Sequence, residues 1–273
     1  MTAEAVRTVP RHARLSAAGV LRSEWVKLRS VRSSTFALLG GGLLVVGFGL
    51  LSAGVASGEV ATPQGGATPD FSPTQIAMNG VGLAQLVVGV LGVLAFTSEC
   101  STGTARTTFA AVPRRLPVLW SKAAVVGTAV LAVCLPSVLL AFVGAQAVLD
   151  AGGEPTALLS DDGVLRAVLG SAVYLSCVSV LGVALGTLLR SAAAALSALV
   201  AGLLLVPGLL GAVLPSSWED AVLPFLPSTA GEAFTSATSD PSLLSPGAGL
   251  AVLAGWVVAL LAVAAWRLRT RDV

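Results

Sequence analysis

Charge is scarce in this 273-residue chain, and histidine, aromatics and cysteine pairs are scarcer still. Each scarcity excludes something. Only 11% of the residues are charged, where a soluble domain of this size carries about 25%. The one histidine is His12, in a basic N-terminal stretch. No Ser–His or Cys–His nucleophile and no histidine-based metal site can therefore be assembled in the apolar part of the chain. No aspartate falls inside an apolar block, which argues against aspartyl intramembrane proteolysis. A P-loop is missing as well: Lys27 follows Val26 and Lys122 follows Ser121, where that motif needs a glycine before the lysine. Acidic residues at mid-membrane, usual in ion-coupled carriers, are lacking. The three cysteines, Cys100, Cys134 and Cys177, form no C-x-x-C pair and read as small apolar packing residues. The ten-residue alternation of a membrane β-barrel is not seen.

What is present is hydrophobic length. Hydrophobic residues make up 55% of the chain, in long blocks without charge alternation. A hydrocarbon core needs about 20 mostly apolar residues per helix. Six blocks meet this, near 36–57, 76–97, 118–149, 164–189, 192–214 and 247–266. The third is long and contains Pro136, so a kink or tilt is expected there. The fifth contains Pro207, tolerable where neighbouring helices satisfy the freed carbonyl. The first block is longer, and lies further into the chain, than a signal-peptide core, so it is expected to be a retained span. The fold expected is an all-α membrane protein with six transmembrane helices. Residues 1–35 form a basic N-terminal segment and 36–273 the transmembrane domain.

Charge then orients the spans. Arg7, Arg11, Arg14, Arg22, Lys27, Arg29 and Arg32 precede the first block. Arg106, Arg114, Arg115 and Lys122 lie between the second and third, Arg190 between the fourth and fifth, and Arg267, Arg269 and Arg271 after the sixth. All the basic residues but Arg166 thus fall on one side, and the opposite loops are acidic. The positive-inside rule places the basic side, with both termini, in the cytoplasm.

Two cytoplasmic stretches and one spacing stand out. In 21–32, LRSEWVKLRSVR, a helix would put Leu21, Trp25 and Leu28 on one face, with Ser23, Lys27 and Ser30 directed away. That is a basic amphipathic helix suited to the inner leaflet, unless its charges serve only to set topology. The loop 98–122 opens on Glu99, runs through Thr102, Gly103 and Thr104, breaks at Pro113 and ends at Lys122. It reads either as a docking surface for a cytosolic partner or as an anchor to lipid headgroups through Arg114, Arg115 and Lys122. Gly182-x-x-x-Gly186 has the spacing of close helix packing, but glycine is so frequent that the match carries little weight. In the outer loop 215–246, the apolar stretch 221–226 reads as either a short interfacial helix or an irregular loop.

Together these segments resemble the permease subunits of type 2 ABC exporters (the ABC-2 family), of the actinobacterial kind. The resemblance is most specific in Ser23-Glu24-Trp25-Val26-Lys27-Leu28-Arg29 with Arg32-Ser33-Ser34. A second stretch is Glu99, Gly103-Thr104, Arg106-Thr107, Val112-Pro113-Arg114-Arg115 and Lys122. Leu226-Pro227-Ser228 with Gly231 is a weaker match, where family members have short outer helices. The resemblance implies two permease chains or halves forming a pathway in a bacterial cell membrane. It also implies two separate ABC ATP-binding subunits on the cytoplasmic face. The chain itself would then be no enzyme and hold no cofactor, ATP being bound by the partner. The coupling surface implied comprises Glu24, Lys27, Arg29, Glu99, Gly103, Arg106, Pro113, Arg114, Arg115 and Lys122. A homodimer in contact with membrane lipids is expected, and no nucleic acid. Two other classes compete: a structural or regulatory multi-pass protein without an ATPase partner, and a lipid enzyme using the outer acids Asp161, Asp162, Glu219 and Asp220.

Overall fold

The computed structural model describes residues 16–58, 60, 72–104, 115–213, 215, 221–238 and 242–270. Among them there are helices and turns and no strand. Helix α1 (Ala17–Ser30) starts where the Ser16 hydroxyl accepts from the Gly19 amide at 3.1 Å. After a one-residue break at Val31, α2 (Arg32–Ala56) forms the first long apolar helix. The second is built in two pieces, α3 (Pro73–Met78) and α4 (Val81–Ser101). Ser72 and Gln75 cap α3 reciprocally, with Pro73 in the first turn.

The break between α3 and α4 has a local cause. A Cβ on Gly80 would lie 2.5 Å from the Leu44 carbonyl oxygen and 2.6 Å from that of Val45. Only glycine lets α2 approach this closely. Asn79, beside it, donates its side-chain N–H to the Ser52 hydroxyl at 3.0 Å. The sequence predicts one continuous helix here and gives no sign of the interruption.

Helix α5 (Arg115–Ala151) runs through Pro136 without a break. Its 37 residues would span about 55 Å, well beyond a hydrocarbon core. Helix α6 (Val164–Leu189) follows Gly163 at φ 81° and ends on Arg190 at φ 54°. The fifth apolar helix is α7 (Ala192–Val200), a π-helical turn (Ala201–Leu205) and α8 (Val206–Val213). Pro207 explains the wide turn. Its ring clashes with the carbonyl four residues back, at Leu203, and its nitrogen cannot donate. A 3-10 turn (Leu223–Phe225) and α9 (Pro227–Thr235) lead to α10 (Pro246–Thr270). The apolar stretch 221–226 is thus helical at Ala221 and Val222 and continues as the 3-10 turn, with the outer helix α9 after it.

Among the described residues, six helices are long and apolar enough to cross a membrane. The most enclosed contain α4 and α6, and the least are α7–α8 and α10. α4 and α6 form the most extensive pair, and glycines set their separation. Added Cβ atoms on Gly92 and Gly182 would sit 2.0 Å from the Ser179 carbonyl oxygen and 2.4 Å from that of Gly89. On Gly186 a Cβ would come within 2.8 Å of the Val93 carbonyl. The Gly182-x-x-x-Gly186 spacing, given little weight from sequence, lies on the tightest interface. Val88, Val93, Leu175, Val178 and Val183 fill the layer around it. Ser176 ties α6 to α5 by donating to the Gly127 carbonyl at 2.9 Å.

The spans alternate in direction, so α1, the end of α4, the start of α5, the α6–α7 turn and the end of α10 share one end of the bundle. This end carries the basic residues. The α3 start, the α5–α6 connection and α9 lie at the other. Arg166, the basic residue on the acidic side, donates there to the Ser236 carbonyl at 2.8 Å and secures the segment after α9 to α6.

Candidate functional site

At the basic end, four charged side chains from three elements close into a ring. Glu24 of α1 splits its carboxylate. Oε1 accepts from Lys27 Nζ at 2.6 Å and Oε2 from Lys122 Nζ at 2.5 Å. Glu99, in the last turn of α4, accepts through Oε1 from Lys122 at 2.8 Å and from Lys27 at 3.2 Å. The ring is neutral. It joins residues 98 positions apart across α1 and α5, and 72 apart across α1 and α4.

Burial decides what the ring is worth. The Lys122 and Glu24 side chains are 4% and 3% exposed, Glu99 14% and Lys27 37%. An exposed ion pair contributes about 0–1 kcal/mol. Removing one partner of a buried pair costs about 3–5 kcal/mol, because the other charge stays desolvated and uncompensated. Glu24–Lys122 belongs to the buried class, and Lys27 closes the ring from its solvent side. Burial pulls the Lys27 pKa down, but the hydrogen bond and charge of Glu24, then those of Glu99, outweigh it and leave it raised. A raised lysine pKa stabilises the fold fully below the ordinary value of 10.5 and loses that contribution as pH climbs through the folded value. The melting difference between the wild type and Lys27→Met is therefore expected to stay constant from about pH 7 to 9 and to shrink only in stronger alkali. A pH series of thermal melts in detergent checks this.

The ring corrects two expectations. The face of α1 packed on the bundle is Val20, Glu24 and Leu28, whereas Leu21 and Trp25 are exposed. The sequence argument put Leu28 with Leu21 and Trp25 on the face suited to the inner leaflet and gave Glu24 no partner. The bundle instead takes the carboxylate, because two lysines meet it there, and Lys27 turns towards the ring rather than away. Lys122 is no lipid-headgroup anchor at a helix start. It lies within α5, which begins at Arg115, and it is buried against α1 and α4.

The other expected site residues divide. Gly103 ends α4 at φ 73°, the left-handed turn that glycine favours. Its amide donates to the Cys100 carbonyl at 3.4 Å. The Thr102 and Thr104 hydroxyls meet at 2.9 Å, folding the start of the loop onto the helix end. Arg29 is exposed on the last turn of α1. Arg106, Pro113 and Arg114 lie outside the described residues, as does the Arg115 side chain. Behind the ring a cavity of about 480 Å³ is walled by Leu28, Val31, Leu94 and Val125, with the Ser98 and Thr102 hydroxyls.

Both carboxylates of the ring are engaged by ammonium groups, which suits a mechanical joint and not a general base. No cluster of three or more histidine, cysteine or acidic side chains that could hold a metal occurs among the described residues. Of the outer acids weighed from sequence, Asp161 accepts the Leu158 amide at 2.7 Å in a turn, and Glu219 and Asp220 lie outside the described residues.

Sequence reasoning missed the partner of Glu24, and the signal for it was compositional. The chain has two lysines, both in the ring, among many arginines. A compact ammonium with three donors can bridge two carboxylates where a planar guanidinium would need more room. A second polar contact, Tyr174 O–H donating to Gln85 Oε1 between α6 and α4, was also missed. No protein-family model matches the chain, and no curated protein matches it. The functional reading therefore rests on the resemblance stated above and on the geometry of this ring.

Proposed function

We propose that this chain is the membrane-spanning permease subunit of a type 2 ABC exporter. It lies in a bacterial cell membrane with both termini cytoplasmic, pairs with a second permease copy, and is driven by two separate ATP-binding subunits. The observation that supports this most is the ring itself. It ties α1, the end of α4 and the start of α5 into one unit, and these are the segments the resemblance assigns to the ATPase-facing surface. A push on α1 or on the loop after α4 would then move two spans together, and not one flexible tail.

The energetic requirement agrees. An isolated surface salt bridge is too weak to carry a conformational stroke. A neutral, largely desolvated ring resists separation because each broken contact strands a buried charge. Interfacial placement of α1 fits its exposed Trp25 and Leu21, which would face headgroups and acyl chains.

The test is purification of the tagged chain in mild detergent from cells expressing its native operon. A nucleotide-binding subunit in equal proportion, with ATPase activity in the eluate, is the expected result. Glu99→Ala is expected to lower that ATPase activity more than Arg114→Ala, since Glu99 bridges both lysines. A pure chain with no such partner would overturn the proposal.

A further inference from the structure

A second cavity, of about 360 Å³, opens at the acidic end between α3–α4, α6 and α9. Gln85, on its wall, lies about 21 Å along α4 from Glu99, so the cavity is well separated from the ring. Three uncharged side chains on its walls, Gln75, Gln85 and Ser228, carry polar groups that the fold leaves without a partner.

Gln85 is the most buried of the three, 7% exposed. Its Oε1 accepts from the Tyr174 hydroxyl, so the opposite end of the amide is the N–H₂. That N–H₂ meets no acceptor among the described residues. Gln75 repeats the pattern. Its Oε1 accepts from the Ser72 amide and hydroxyl, each at 3.3 Å, and its N–H₂ is left over. The Ser228 hydroxyl oxygen is buried with no hydrogen-bond partner among the described residues. Buried polar groups without partners are uncommon in a native fold and need an explanation.

The same walls set the charge of what fits. No lysine or arginine lines the cavity among the described residues. Glu232 lines it but already makes an interaction of its own. The groups left to meet a ligand are therefore uncharged, and most are donors: two N–H₂ groups and the Ser228 hydroxyl. Asn79, which donates to Ser52, adds its carbonyl oxygen as an acceptor.

We propose that this cavity binds a neutral molecule through its carbonyl oxygen, as in a ketone, an ester or a tertiary amide. A carbonyl oxygen accepts two hydrogen bonds and brings no donor of its own. A hydroxyl group brings one, and the walls have few acceptors for it. A donor left stranded costs about as much as a made bond gains. The close seat of Gly231 on the Tyr174 ring, where any Cβ would overlap the ring, holds α9 and therefore Ser228 against the site. As a binding site this stands without the permease reading; only as a cargo site does it rest on it.

Four probes on one ring separate the possibilities: cyclohexanone, cyclohexanol, cyclohexylammonium and cyclohexanecarboxylate. Binding of each to the purified full chain in lipid nanodiscs is measured by ligand-observed NMR, with empty discs subtracted. Cyclohexanone is expected to bind with a dissociation constant below about 10 mM, at least about fivefold tighter than any of the other three. Gln85→Met is expected to erase the preference for the ketone over the alcohol. Ser228→Ala breaks no hydrogen bond of the fold, so its melting temperature should not fall, while cyclohexanone binding weakens at least about threefold. If cyclohexanone binds more tightly in discs of ether-linked lipid than in discs of ester-linked lipid, the resident carbonyl is a lipid ester; equal binding identifies a soluble compound. No binding of cyclohexanone, a preference for the alcohol or for either ion, or ketone binding unchanged in both variants would each overturn the proposal. None of these outcomes depends on whether an ATPase subunit co-purifies.

Discussion

Lys122→Met is expected to destabilise the protein by about 3–5 kcal/mol. The lysine is 4% exposed and touches both carboxylates of the ring, so its removal leaves the ring with a net negative charge. Glu24 keeps one contact with Lys27, and that lysine is too exposed to neutralise both acids. Adding Glu24→Gln to Lys122→Met restores neutrality and leaves Lys27 with Glu99. The double variant is expected to recover most of the lost stability, since replacing a buried pair with neutral side chains is often close to neutral. Thermal or denaturant unfolding of the four proteins of this cycle, in detergent, measures the coupling. Additive losses would mean that Glu24 and Lys122 do not act on each other.

Gly92→Ala is expected to be worse still. Its Cβ would lie 2.0 Å from the Ser179 carbonyl oxygen, 2.9 Å from the Ser179 carbonyl carbon and 3.1 Å from the Val183 nitrogen. These are backbone atoms of α6, so no rotamer change can relieve the overlap, and the two central helices must separate. Ordinary overpacking costs about 1–3 kcal/mol. Here the loss should exceed about 4 kcal/mol or leave no recoverable folded protein. Gly40→Ala is the control. Nothing lies within 4 Å of its Cβ position, so it should be neutral or slightly stabilising. Comparable yields and melting temperatures for the two variants would refute the packing of α4 on α6 described above.

The spans were legible because length and hydropathy suffice for them. The fourth apolar block matches α6 at both ends, Val164–Leu189. What sequence left hidden depends on pairs of distant residues. Gly80 marks a helix break only because Leu44 and Val45 press on it, and nothing near residue 80 records that. Pro207 was expected to be tolerated, but its means, a π-helical turn just before it, is a property of the folded backbone. On α1 the stripe Leu21, Trp25 and Leu28 was read as facing the inner leaflet, with Lys27 directed away. The structure leaves Leu21 and Trp25 exposed but buries Leu28 together with Glu24, whose carboxylate meets both lysines of the ring. The two lysines were visible in the sequence among many arginines. Their number and their type were the clue to the ring. Of the expected coupling residues, the structure brings together Glu24, Lys27, Glu99 and Lys122, the four able to form a closed circuit of alternating charge.

The central claim is that the ring transmits work between a cytoplasmic partner and the spans. The most direct test is the ATPase activity of the assembled complex carrying Glu24→Gln with Lys122→Met. This pair is chosen because it should fold. The account predicts that the complex assembles in normal proportion and melts near the wild type. Its ATPase activity should nonetheless lose its dependence on the permease and fall to the level of the isolated ATP-binding subunit. Activity equal to that of the wild-type complex would contradict it and reduce the ring to a structural clasp.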